Sequence, residues 1–225
     1  MRGDGLSGEV SDTDPQKEGL LPLPPTPLKP EAQKTSRVLG KFIEIANEVL
    51  KSEERANTVL LRGIASVPDI EPFPDRYNLK SLALAYYPMY KGLTRLVGMD
   101  TPDAGETLDD LIDYLRGSWS DYDFFYVHYK ETDKAGEDAD FEKKVKAIEE
   151  FDKRIPAILD LNPDVLVITG DHSTPALWGS HSWHPNPLLL HAATARIDKV
   201  EKFTELECQA GHLGRFPALS VMPLM

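Results

Sequence analysis

The hydrophobic positions of this chain change period along its length. Between Ala32 and Ser52, Val38, Phe42, Ile45, Ala46 and Val49 recur at the spacing of one helix face, which predicts a first helix. Thr58-Val59-Leu60-Leu61 then predicts a short buried strand ending at Arg62-Gly63. Further on the pattern alternates. Leu82 to Tyr87 predicts a strand stopped by Pro88, and Tyr90 to Val97 a helix. Leu108, Leu111, Ile112 and Leu115 mark a short amphipathic helix, and the aromatic run from Asp123 to Tyr129 another strand. Phe141, Val145, Ile148, Phe151 and Ile155 form the apolar stripe of a longer helix, and Val165 to Ile168 and Leu188 to Leu190 are the last strands. Strands alternating with helices predict an α/β domain with a mainly parallel sheet.

The connections divide this pattern. Residues 1–32 are rich in Pro, Asp, Gly and Ser around Leu23-Pro24-Pro25-Thr26-Pro27, which predicts an extended, polyproline-like segment. A Pro-rich, acidic loop from Ser66 to Arg76 is the expected domain boundary. The sequence of 225 residues is long enough for one large domain, or one domain and part of another. Its net charge of −12 excludes the basic footprint that unspecific nucleic-acid binding needs. An acidic chain that handles phosphates must concentrate its cations locally. The single cysteine, Cys208, excludes an internal disulfide and fits a cytoplasmic setting. No apolar run is long enough to span a bilayer, so no membrane partner is expected. The loop-like opening and the apolar close, Ala218 to Met225, suggest a fragment cut at both ends.

The candidate chemistry lies where the apolar run Val165 to Ile168 stops. Thr169-Gly170-Asp171-His172-Ser173 follows it, and His181-Ser182-Trp183-His184-Pro185 comes within the same loop. In open α/β sheets, ligands bind outside the carboxyl ends of strands. Asp171, His172 and His181 are therefore candidate ligands of a divalent cation. Gly-Asp-His alone would suit an Asx turn equally well. His184 is expected to support the loop; Ser173 and Thr174 could be nucleophiles, but hydroxyls directly after two candidate ligands are expected rather to orient them. After the aromatic strand, Asp133 and Glu137 stand four residues apart, close enough to share an ion if the segment turns at Gly136. An acidic run of this kind is often only a solvated face. Carboxylates with imidazoles suit Mn²⁺ or Mg²⁺, with Zn²⁺ possible, and the lack of thiolate ligands argues against a structural zinc site.

Thr169 to Pro175 together with His181 to Pro187 resembles the alkaline-phosphatase superfamily. More specifically, the chain resembles the archaeal-type, cofactor-independent phosphoglycerate mutases over nearly its whole length. The resemblance includes Asp12-Thr13-Asp14-Pro15, Leu61-Arg62-Gly63, Tyr90-Lys91-Gly92, Thr132 to Glu137, Lys144 to Glu149 and Gly211 to Arg215. It implies an alkaline-phosphatase-like core interrupted by a smaller inserted α/β domain. Residues 1–70 would be the C-terminal part of the substrate-binding insertion, and residues 71–225 a partial metal-binding core.

The activity implied is a glycolytic and gluconeogenic isomerase. It interconverts 3-phosphoglycerate and 2-phosphoglycerate through a phosphoserine intermediate with two divalent metals. One metal would take Asp133, Glu137 and His181. The other would take Asp171 and His172, with an aspartate and the serine nucleophile of the first core strand. Lys91 matches a lysine that contacts the transferring phosphate, and Arg62 and Arg2 would clamp the substrate. The chain departs from the pattern in two places. Glu137 stands where many relatives have His, and nothing here matches the segment with the nucleophile. The isolated chain is therefore expected to be an inactive fragment. Another phosphatase or phosphodiesterase of the superfamily, or a non-catalytic metal-binding module, would also accommodate the ligand loop.

Overall fold

A computed structural model describes residues 3–225. The chain divides into two compact units, Met1–Ile70 and Glu71–Met225.

The first unit is an extended segment wrapped beside one helix. Val10 and Pro27 form an isolated antiparallel bridge. A single 3-10 turn, Pro30–Ala32, leads into α1, Gln33–Leu50. Val10, Ala32 and Leu39 form a small core, with Leu61 and Ile64 packed against it. The strand expected over Thr58 to Leu61 does not form. Thr13 takes its place as a clasp: its amide donates to the Leu61 carbonyl (2.9 Å), and the Leu61 amide donates to the Thr13 hydroxyl (2.7 Å). A side-chain acceptor supplies one of the two bonds, so no ladder propagates. The stripe that marked α1 is also not the face it buries. Thr35 and Leu39 are buried, whereas Phe42, Ile45 and Val49 are 44%, 56% and 72% exposed.

The second unit carries the alternating pattern. It runs through α2 (Phe73–Tyr77), β1 (Ser81–Leu84), α3 (Pro88–Leu96), α4 (Leu108–Ser118), β2 (Phe124–Val127) and α5 (Glu131–Glu137). Then follow α6 (Phe141–Asp152), α7 (Ile155–Leu159), β3 (Val165–Thr169), β4 (Leu188–Ala192), α8 (Glu205–Cys208) and α9 (Val221–Leu224). β1 and β2 are parallel, pairing Ser81 with Phe124 and Leu84 with Val127. β3 and β4 form a separate antiparallel pair, Val165 opposite Ala192 and Thr169 opposite Leu188. Every residue of β1 is buried, which is why its sequence is continuously apolar after Ser81 instead of alternating.

The core joins β1 to α4. Leu82, Leu84, Ala104, Leu111, Leu115 and Ile158 are buried together, with Phe125, Val127 and Leu166 against them. Burying each leucine side chain stabilises the fold by roughly 1.5–3 kcal/mol. α4 starts at a capping box: the Asp110 amide donates to the Thr107 hydroxyl, and Asp110 accepts from the Thr107 amide. The long helix expected from Phe141 through Ile155 ends at Asp152. Pro156 has no N–H for the carbonyl four residues earlier, so α7 begins as a separate turn. Residues 131–137, expected as a turning loop, are helical. Three strand ends thus lead to chemistry: β1 to α3, β2 to α5, and β3 to Gly170-Asp171-His172.

Candidate metal centre

The α-helical state of 131–137 places Asp133 and Glu137 one turn apart on one face of α5. β3 delivers Asp171 and His172 directly. The loop then doubles back: the Ser182 amide donates to the Ser173 carbonyl (2.9 Å), an isolated antiparallel bridge that lays His181 over His172. Their ring centroids lie 3.9 Å apart.

Donor atoms of Asp133, His172 and His181 lie within 4.8 Å of one another. Asp133 Oδ1 is 3.8 Å from His172 Nδ1 and 3.8 Å from His181 Nε2. Glu137 Oε1 is 3.3 Å from His181 Nε2, and Asp171 Oδ2 is 3.5 Å from His172 Nε2. All five expected ligands therefore fall in one constellation. The tightest triad includes His172 instead of Glu137, which is half exposed.

The other expected site residues are placed differently. Lys91 points its ammonium at Asp103 (2.9 Å), and no described contact links it to Asp133, His172 or His181. Arg62 lies in the first unit, 3.6 Å from Asp14. Arg2 is outside the described residues. His184 hydrogen-bonds Ser182 (2.9 Å) and stacks on Trp183, so its ring braces the loop.

Several supporting groups carried no clear signal in the sequence. The Tyr90 hydroxyl donates to Asp171, and its ring stacks on His128 at 3.5 Å. The Lys130 ammonium contacts Asp133, lies 3.9 Å from Glu137 and sits 5.0 Å above the Tyr87 ring. Lys144 donates to the Thr174 carbonyl (2.6 Å). The strand-end rule that exposed Asp171 applies equally to Tyr90, which follows β1.

The electrostatics favour an ionised, cation-hungry site. Burial pushes the Asp133 carboxyl up, but hydrogen bonds from Lys130 and Thr174 outweigh it and hold the group below the usual range. Burial likewise opposes ionisation of Asp171, and the Tyr90 hydroxyl with the neighbouring His172 overcomes it. Burial raises the Tyr126 phenol to about 12 and lowers His128 to about 4, so both are neutral at pH 7. The donors are all carboxylate oxygens and imidazole nitrogens, and an ammonium already rests on Asp133. Such a set fits a divalent cation.

A family model described as the metalloenzyme superfamily matches residues 30–225. The chain belongs to the metalloenzyme superfamily. Divalent-metal binding goes with that membership, and the alkaline-phosphatase-like fold with its parallel strand pair agrees with it. A second model, 2,3-bisphosphoglycerate-independent phosphoglycerate mutase, matches residues 1–56. The chain is 48% identical over 220 residues to a probable 2,3-bisphosphoglycerate-independent phosphoglycerate mutase of Aquifex aeolicus, covering 97% of this chain and 54% of that protein. It is 49% identical over 222 residues to the corresponding Thermotoga maritima protein, covering 99% and 55%. Among solved structures it resembles a Pyrococcus horikoshii protein, with TM-score 0.77, 33% identity, and coverage of 88% of this chain and 57% of that one. It also resembles the cofactor-independent phosphoglycerate mutase of Thermoplasma acidophilum, with TM-score 0.64, 26% identity, and coverage of 99% and 59%. This metalloenzyme chain spans about half the length of the curated relatives it matches. No helix among its described residues is long and apolar enough to cross a membrane.

Proposed function

We propose that this chain is the metal-binding part of a cofactor-independent phosphoglycerate mutase that interconverts 3-phosphoglycerate and 2-phosphoglycerate. The observation that carries the reading is the convergence of Asp133 and Glu137 from α5 with Asp171, His172 and His181 from the β3 loop. Three of these five groups are carboxylates. Without added positive charge they would repel a phosphate ester, so the site suits that substrate only when loaded with cations.

In this reading Asp133, Glu137 and His181 hold one divalent ion, and Asp171 with His172 contributes to a second. Such ions would neutralise the charge on a transferring phosphoryl group. The chain's own residues prepare the site. Tyr90 holds Asp171 by a hydrogen bond, and α5 keeps Asp133 and Glu137 in register. Lys91, Arg62 and Arg2 would grip phosphate and carboxylate, Lys91 after releasing Asp103. Residues 1–70 would belong to the substrate-binding insertion and 71–225 to the metal-binding core, in a cytoplasmic enzyme.

Calorimetric titration of the 225-residue chain with Mn²⁺ should show binding, and Asp133→Asn should weaken it at least tenfold. Unchanged affinity in that variant would remove the ligand assignment. Paired assays on 3-phosphoglycerate and nitrophenyl phosphate test the substrate. Little mutase turnover is expected from these 225 residues assayed alone, because none of them matches the family's serine nucleophile. Hydrolysis of nitrophenyl phosphate without preference for phosphoglycerate would favour a phosphatase.

A further inference from the structure

Thr174 is 4% exposed, and its hydroxyl touches both ligand groups at once. It donates to Asp133 Oδ1 and lies 3.0 Å from His172 Nδ1. A hydroxyl has one proton. The Asp133 carboxylate can only accept, so that proton belongs to Asp133. The remaining contact then requires His172 to donate from Nδ1, which leaves Nε2 as the only unprotonated nitrogen of a neutral ring. Nε2 is the atom 3.5 Å from Asp171 Oδ2.

We propose that Thr174 is a positioning residue that fixes the Nδ1–H tautomer of His172, turning its Nε2 lone pair toward Asp171 and tying the two ion sites through one hydroxyl. This goes beyond the ligand assignment above and rests on it for the identity of the ions. It also resolves an ambiguity of the geometry. His172 lies close enough to Asp133 and His181 to count with them, yet the nitrogen facing Asp133 carries a proton and cannot ligate. The ring therefore serves the ion at Asp171.

The hydroxyl is held in place by its backbone. Lys144 donates to the Thr174 carbonyl (2.6 Å). α5 also passes so close that a Cβ on Gly136 would lie 2.3 Å from that carbonyl oxygen. Both contacts hold the Thr174 backbone from which the hydroxyl projects toward Asp133.

Two measurements on the full 225-residue chain test this. Long-range ¹⁵N–¹H NMR of the metal-free protein should show His172 protonated at Nδ1 in the wild type and in Thr174→Ser, and a changed tautomer mixture in Thr174→Val. Calorimetry should show Mn²⁺ affinity falling roughly 10–100-fold in Thr174→Val and staying within about threefold of wild type in Thr174→Ser. An Nε2–H tautomer in the wild type overturns the proposal, whatever the metal data and whether or not Thr174→Val folds. Equal losses in both variants, or wild-type affinity in Thr174→Val, also overturn it. A wild-type chain that binds no Mn²⁺ but shows the Nδ1–H tautomer would sink the metal reading while leaving the orienting role of Thr174 standing.

Discussion

α1 and α4 show the same periodicity in sequence and end in opposite environments. α4 buries Leu108, Leu111, Ile112 and Leu115, each 8% exposed or less, and Leu111 and Leu115 share a core with Leu82 and Leu84 of β1. α1 leaves Val38, Phe42, Ile45 and Val49 between 37% and 72% exposed and buries Thr35 and Leu39 instead. A stripe at helical spacing therefore reports the helix, but whether the stripe is covered depends on what the rest of the fold brings to it. In α4 that partner is a parallel strand pair formed by residues on both sides of the helix in sequence. Among the described residues of the first unit, the small core around Val10 and Leu39 engages the neighbouring face only.

The contrast can be broken or sharpened by substitution. The largest effect is expected in α4: Leu111→Ala should cost about 2–5 kcal/mol of stability, read as a lowered denaturation midpoint. A loss below 1 kcal/mol would mean that α4 is no better packed than α1. Gly136→Ala tests the tight approach of α5 to the ligand loop. The new methyl would meet a backbone carbonyl, and overpacking of this kind costs about 1–3 kcal/mol. The same variant should weaken Mn²⁺ binding, because the Thr174 carbonyl must move. The smallest effect belongs to α1, where Ile45→Ala should stay within about 0.5 kcal/mol of wild type in chemical denaturation. A loss above 2 kcal/mol there would show that the stripe is covered in solution and erase the contrast.

What the sequence made legible follows the same division. Elements whose apolar residues have a local partner were readable: β1, β2, β3 and α4 appear within a few residues of the periodicity. The grouping of Asp171, His172 and His181 was readable because the apolar strand β3 runs into Gly-Asp-His, and the Ser173–Ser182 bridge returns His181 to the same loop. Asp133 and Glu137 were readable as a pair, but not as a helical pair. Glu131-Thr132-Asp133-Lys134 gives no apolar stripe, and the part of α5 that is buried is Ala135 and Gly136, with Gly136 close against the Thr174 carbonyl. The expected strand at Thr58 to Leu61 failed for a related reason, since a β-branched, apolar run needs a ladder partner and Thr13 offers only a clasp. The part played by Tyr90 was harder to read, because its bond to Asp171 joins residues 81 apart, whereas the contact of Lys130 with Asp133 is local, three residues along the chain.

The bond between Thr174 and Asp133 spans 41 residues of chain. Closing a loop of that length costs conformational entropy before the site exists, so the constellation depends on the tertiary fold and not on any one element. An ion held there binds the folded chain and not the unfolded one. At a free concentration one hundred times its dissociation constant it adds about 2.7 kcal/mol of stability. The side chains that would hold such an ion then act as a latch on the tertiary structure. Chelation should accordingly lower the melting temperature of the second unit before it changes any helix content.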